Sequence, residues 1–233
     1  MCSQPGDAFA RQSLQISCCD QTLFLHAARV IYWAEQRTLL AADIHIGKEQ
    51  VFGRTGIGIP GGLSETTLER LMHLVDLSGA ERLFILGDFV HDVPALSESW
   101  QSLLRELLDQ RSELNLSVVV GNHDKPGTSQ RMDQRIDWFN NPVAEPPFVF
   151  AHEPVISERG SERGDDRGYV LCGHIHPVYR VGKRRDQIRA PVFWFQQSIA
   201  VLPAFGLFTG GYTIERNDND RLFMTGPDCV LEV

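Results

Sequence analysis

Short apolar runs recur along the chain, and each ends on a glycine, an alanine or a polar residue. Thr38–Ala42, Arg82–Leu86, Leu116–Val120, Phe148–Phe150 and Tyr169–Cys172 each have the length of a buried strand. Between them the period lengthens to that of a helix. Leu68, Leu71, Met72 and Val75 fall on one helical face behind Ser64 and Thr66, two candidate caps. Trp100, Leu103, Leu104, Leu107 and Leu108 repeat the pattern behind Ser97. Strands separated by helices predict βαβ units around a largely parallel centre. Residues 14–35 and 192–233 are strand-like with little helical periodicity and would complete two packed sheets. No internal repeat or linker interrupts the chain, so one domain spanning residues 1–233 is expected. The segment Glu158–Arg167 carries both charge signs among glycines and reads as a solvated loop.

Composition narrows the class. The 233 residues are 42% hydrophobic and 22% charged, which is globular usage and excludes disorder and rod-like coils. Lys plus Arg is 22 against 30 for Asp plus Glu, a net charge of −8. Nucleic-acid binding driven by bulk positive charge is thereby excluded, although a local basic patch is not. The five cysteines (Cys2, Cys18, Cys19, Cys172 and Cys229) are odd in number and form no CxxC pair. That argues against a disulfide framework or a thiolate zinc site and for a reducing compartment. No apolar run is long enough to cross a bilayer, and Met1–Ala10 lacks the pattern of a signal peptide, so a soluble cytoplasmic protein is expected.

The chemistry gathers where the apolar runs end. They lead into Asp43-Ile44-His45, Gly87-Asp88, Gly121-Asn122-His123-Asp124, His152, and Gly173-His174-Ile175-His176. In open α/β sheets ligands bind beyond the carboxyl ends of the strands. Six of the eight histidines lie near these ends: His45, His91, His123, His152, His174 and His176. Asp, Asn and His are oxygen and imidazole donors that suit Mn²⁺, Fe or Zn²⁺ better than a thiolate-seeking metal. There are enough of them for two divalent ions sharing a carboxylate. Such a pair clamps the attacking and leaving oxygens of a phosphoryl group.

In this order the motifs resemble the binuclear calcineurin-like metallophosphoesterase superfamily. A narrower resemblance rests on Asp43-Ile44-His45-Ile46-Gly47-Lys48, Gly56-Ile57-Gly58-Ile59-Pro60, His152-Glu153-Pro154, Leu202-Pro203-Ala204-Phe205-Gly206 and Phe208-Thr209-Gly210-Gly211. It is similar to the bacterial ligase-associated DNA damage response phosphoesterases over residues 20–225. The resemblance implies an α/β fold, a two-sheet αββα sandwich. It also implies a Mn²⁺-dependent phosphodiesterase or endonuclease acting on DNA, associated with a DNA ligase and a helicase. Carried over, Asp43, His45, Asp88 and His176 would hold one metal, and Asp88, Asn122, His152 and His174 the other. Asp88 would bridge. His123 would protonate the leaving alkoxide or stabilise the phosphate, with Asp124 orienting its imidazole.

Other residues read two ways. His91 departs from the superfamily's GDxx[DE] motif and is expected to touch substrate or support Asp88. Lys48 either meets a phosphate or is solvated on a helix. Arg180, Lys183, Arg184, Arg185 and Arg189 form a basic stretch. It would guide a nucleic-acid backbone or turn in a solvated hairpin around Gly182. Phe193, Trp194 and Phe195 fit a buried strand better than a base-stacking surface. His26 and His73 lie outside the motifs and read as structural. The rival activities are a phosphatase or phosphodiesterase on nucleotides or other small phosphoesters, and a scaffold with a vestigial site.

Overall fold

The computed structural model describes residues 4–54, 61–91, 98–154, 168–182 and 186–233. The first sheet is built from β1 (Ser13–Cys18), β2 (Gln21–His26), β3 (Val30–Trp33), β4 (Thr38–Ala41), β5 (Arg82–Leu86), β6 (Asn115–Val119) and β7 (Ile136–Phe139), lying side by side in that order. Its early strands form an antiparallel meander, and β4 through β7 are parallel. The second sheet contains β8 (Val143–Glu145), β9 (Phe148–Phe150), β10 (Tyr169–Cys172), β11 (Pro177–Val181), β12 (Ile188–Phe195), β13 (Ile199–Val201) and β14 (Tyr212–Thr213). They are ordered β14-β11-β12-β13-β10-β9-β8, with β15 (Arg221–Thr225) and β16 (Val230–Glu232) branching from β12.

The two sheets pack face to face through alternate residues of their strands. Leu23, Leu25, Trp33, Phe84 and Leu86 of the first meet Phe148, Phe150, Leu171, Phe193 and Phe223 of the second. Trp33 sets its ring edge-on to Phe148 at 5.0 Å. Phe193 and Phe195 are thus core residues, as their strand reading requires. The outer face of the first sheet is covered by α1 (Asp7–Arg11), α3 (Leu63–Ser78) and α4 (Glu98–Asp109), with the short α2 (Lys48–Arg54) leading into α3. Leu68, Leu71, Met72 and Val75 of α3 and Trp100, Leu104, Leu107 and Leu108 of α4 are buried there, on the faces that their spacing predicts. This is the two-sheet α/β fold expected from the motifs. Among the described residues, no helix covers the second sheet's outer face.

The caps differ from expectation. Helix α3 starts at Leu63, so Ser64 and Thr66 lie inside its first turn, and Gly62 is the capping position. The Ser64 hydroxyl instead donates to Glu49 (2.5 Å) and accepts from the Gly47 amide (2.7 Å). Glu49 also accepts from the Ser64 amide at 3.1 Å, satisfying a free helix-end donor. These bonds tie the start of α3 to the loop after His45. Ser97, Glu158–Arg167 and Lys183–Arg185 lie outside the described residues. Around them, β11 and β12 form the hairpin read from Gly182, with Arg180 directly opposite Arg189.

Candidate metal centre

Register brings the motif residues together. In the first sheet Ala41 pairs with Ile85, and Leu86 with Val119. Asp43, Asp88 and Asn122 therefore emerge at one end, two or three residues beyond the aligned strands. In the second sheet Phe150 pairs with Leu171, so His152 and His174 follow their strands by similar intervals. Main-chain bonds then join the emerging loops: Asp43 N to Gly87 O (3.2 Å), His45 N to Asp88 O (2.8 Å), and Gly173 N to His152 O (3.0 Å).

The loops turn sharply. Asp43, His45, Asp88, His174 and His176 all have positive φ, between 49° and 71°, in the left-handed region that non-glycine residues avoid. Strain of this kind, concentrated in side chains that converge, marks a functional site. The glycines before Asp88 and Asn122 are demanded by space. A Cβ on Gly87 would collide with the His152 ring, and one on Gly121 with the amide and carboxylate of Asp88.

The donor atoms fall into two sets on either side of Asp88. His45 Nε2 and His176 Nε2 face each other at 3.4 Å, and His176 Nε2 is 3.5 Å from Asp43 Oδ1. On the other side Asn122 Oδ1 lies 2.9 Å from His152 Nε2 and 3.1 Å from His174 Nδ1. Asp88 Oδ1 accepts the His123 amide at 2.8 Å. Its Oδ2 stands between the sets, 3.7 Å from His45 Nε2 and 3.6 Å from His152 Nε2. Asp43 accepts from the His174 amide through both oxygens and lies 3.8 Å from His152 Nδ1.

The chemistry of this donor set fits divalent cations. Asp43 and Asp88 are 0% and 2% exposed; their ion-pair neighbours among the described residues are histidines, and Lys48 reaches them through its charge alone. Buried carboxylates without a compensating cation are costly. Burial drives His45 down to about 2, helped by Lys48, His176, His91 and His123. Burial is also the largest influence on His176 and opposes its charged form, but the bond to Asp43, the Asp43 charge and the Thr209 carbonyl together raise it. The facing imidazoles are therefore not both protonated. The Thr209 carbonyl lies 3.3 Å from His176 Nδ1 and the Leu86 carbonyl 3.4 Å from His152 Nδ1; in the tautomer that donates from Nδ1 to these carbonyls, Nε2 is free to meet a cation.

His123 and His91 flank this cluster as stacked rings, 4.6 Å apart. His91 Nδ1 is 3.2 Å from His45 Nδ1, so His91 supports a cluster histidine directly. The expected pairing of Asp124 with the His123 imidazole is not found. His123 Nδ1 faces the His91 carbonyl at 3.0 Å. The Asp124 carboxylate accepts from the amides of Phe89 (3.2 Å), Val90 (2.9 Å) and Gly121 (3.0 Å), lacing the two loops together. Burial pushes Asp124 up to about 6 against the pull of those amides.

Lys48, at the start of α2, lines a small cleft with His45 and Phe208. Burial lowers its pKa, opposed by Asp88 and Asp43. Arg180 is exposed on β11, opposite Arg189 of β12. One neighbour was not singled out from the sequence. Glu153 brings a carboxylate within 4.8 Å of donor atoms of His152 and His174. Its sequence signal is its place in the His152-Glu153-Pro154 motif.

Residues 36–226 match the family described as calcineurin-like phosphoesterase. Among solved structures, the nuclease MPE of Pseudomonas putida is 31% identical, with a TM-score of 0.76, over 95% of this chain and 100% of its own. Yfce, a phosphoesterase from E. coli, is 19% identical over 82% of this chain and 88% of its own, with a TM-score of 0.42. No curated protein matches the chain.

Proposed function

We propose, for a chain that belongs to the calcineurin-like phosphoesterase family and is a metal-dependent phosphoester hydrolase, that it is a binuclear phosphodiesterase cutting nucleic acid in bacterial DNA repair. The observation that carries this reading is the Asp88 carboxylate, with one oxygen 3.7 Å and 3.6 Å from histidines of the two donor sets. Asp43, His45, His176 and Asp88 would hold one ion. Asp88, Asn122, His152 and His174 would hold the other. The oxygen and imidazole donors suit Mn²⁺, with Fe or Zn²⁺ as alternatives. When bound, two such ions supply an activated water at neutral pH and neutralise phosphate charge.

The remaining roles belong to the chain itself. His123 gives a proton from Nε2 to the leaving alkoxide while the His91 carbonyl holds its Nδ1 hydrogen. Lys48 and His91 face the phosphate from beside His45. Arg180 meets the nucleic-acid backbone at a distance from the metals. The nuclease likeness supports nucleic acid as substrate. The free cysteines Cys18, Cys19, Cys172 and Cys229 suit a reducing cytoplasm. Among the described residues, no helix is long and apolar enough to cross a membrane. The association with a DNA ligase and a helicase is part of the same reading.

The test is hydrolysis by the purified chain, with Mn²⁺, Mg²⁺ or Zn²⁺, of circular single-stranded DNA, bis(p-nitrophenyl) phosphate and p-nitrophenyl phosphate. Mn²⁺-dependent cutting of the circle and of the diester is expected. Hydrolysis of the monoester alone would replace this reading with that of a small-molecule phosphatase.

A further inference from the structure

Beside the metal centre the loop Gly206–Gly210 carries an aromatic residue that the fold does not use. Phe208 is 62% exposed, and its φ is +58°. A bulky side chain rarely adopts this left-handed backbone. The next residue, Thr209, presents its carbonyl to His176 Nδ1 at 3.3 Å. Phe208 thus adjoins the residue whose carbonyl meets a metal-site histidine. It forms a crest between two depressions: the cleft with His45 and Lys48 on one side, and a groove of about 240 Å³ on the other.

That groove is cationic. Arg29, from the turn between β2 and β3, and Arg189 of β12 line it together with the backbone of the loop. Neither guanidinium has a carboxylate partner among the described residues. Arg29 donates to the Ala204 carbonyl (3.2 Å) and Arg189 to the Gly211 carbonyl (2.6 Å). Each is aimed by main-chain acceptors, with further donors to spare. Behind them Arg70 donates to the Phe205 carbonyl and lies over the Phe205 ring at 3.9 Å. Arg70 is lowered to about 10, by burial and then by Arg29, so two cations crowd here, each bonded to a carbonyl and to no carboxylate among the described residues. Like charges gathered around a groove call for an anion.

Accepting the nucleic-acid reading above, we infer that the Arg29–Arg189 groove binds a phosphate of the substrate strand flanking the scissile one, and that Phe208 stacks on the base between them. The occupant is a single-stranded polynucleotide. Paired bases offer no free face to a ring on a loop crest, whereas an unpaired base does. A small diester reaches the metals but spans neither feature. This also gives an acidic chain a local way to hold a polyanion.

The test compares Phe208→Ala, Arg189→Gln, Arg189→Lys and, as a remote exposed control, Leu231→Ala. The substrates are a single-stranded oligonucleotide and bis(p-nitrophenyl) phosphate, both with Mn²⁺. Phe208→Ala should raise KM for the oligonucleotide about tenfold, in the range measured for lost base stacking, and Arg189→Gln should raise it through the lost phosphate contact. Arg189→Gln should leave kcat/KM for the small diester within about twofold, which a damaged metal centre would not do, and Phe208→Ala should cost the oligonucleotide more than the small diester. Arg189→Gln should also lower the slope of log(kcat/KM) against log[salt] by about 0.7, the single-strand increment per phosphate contact, while Arg189→Lys keeps the slope. Unchanged oligonucleotide KM and salt slope in both variants would overturn the subsite while leaving the nuclease reading intact. Wild-type protein that cleaves the small diester but no oligonucleotide would overturn both.

Discussion

At the scale of single residues, the site is a set of side chains forced into positions that ordinary backbone avoids. Gly87 shows the constraint most sharply, with φ +83° and the His152 ring in the space a Cβ would fill. Gly87→Ala combines left-handed strain, about 1–2 kcal/mol, with overpacking, about 1–3 kcal/mol. Urea titration should show a loss of about 2 kcal/mol or more, and metal-dependent turnover should vanish with it. His123 is a different case, because its amide, not its ring, touches Asp88. His123→Ala should retain metal but lose roughly 10²–10⁴-fold in rate on a nucleoside ester. The loss should be small on a nitrophenyl ester, whose leaving group departs without a proton. Equal losses on both would assign the ring to phosphate binding, and lost metal would place it among the ligands.

At the scale of elements, the motif residues were legible because each follows a short apolar strand, and parallel register turns that repetition into proximity. The spacing of α3 and α4 was legible for the same reason, since burial of one face selects the helical period. Side-chain partners were not. Ser64 reads as a cap, but Glu49, fifteen residues earlier, takes that work. Asp124 reads as a partner for the neighbouring imidazole. Yet three amides, two from the loop after β5 and Gly121 from its own, claim its carboxylate. Such choices depend on loops distant in sequence, which local pattern does not encode. Asp124 is thus a brace between elements, and Asp124→Ala would orphan three buried donors at about 1–3 kcal/mol each. A stability loss of at least about 3 kcal/mol is expected by chemical denaturation. A loss confined to rate, with stability unchanged, would return Asp124 to a role at the imidazole.

At the scale of the molecule, two sheets meet so that the ends of β4, β5 and β6 face those of β9 and β10, and the buried charge of Asp43 and Asp88 lies at that seam. Cations binding there stabilise the folded state selectively. Mn²⁺ at about 100 times its dissociation constant should add about 2.7 kcal/mol per site, a rise in Tm of roughly 5–10 °C for a chain of this size. Chelation should reverse it, and thermal melts with and without chelator would show both. The shared ligand is the centre of the account, and anomalous diffraction at the manganese edge from Mn²⁺-loaded crystals tests it most directly. Two peaks about 3.5–4 Å apart, both in contact with the Asp88 carboxylate, are expected, one beside His45 and His176 and the other beside Asn122, His152 and His174. A single peak, or a pair that does not share Asp88, would contradict it.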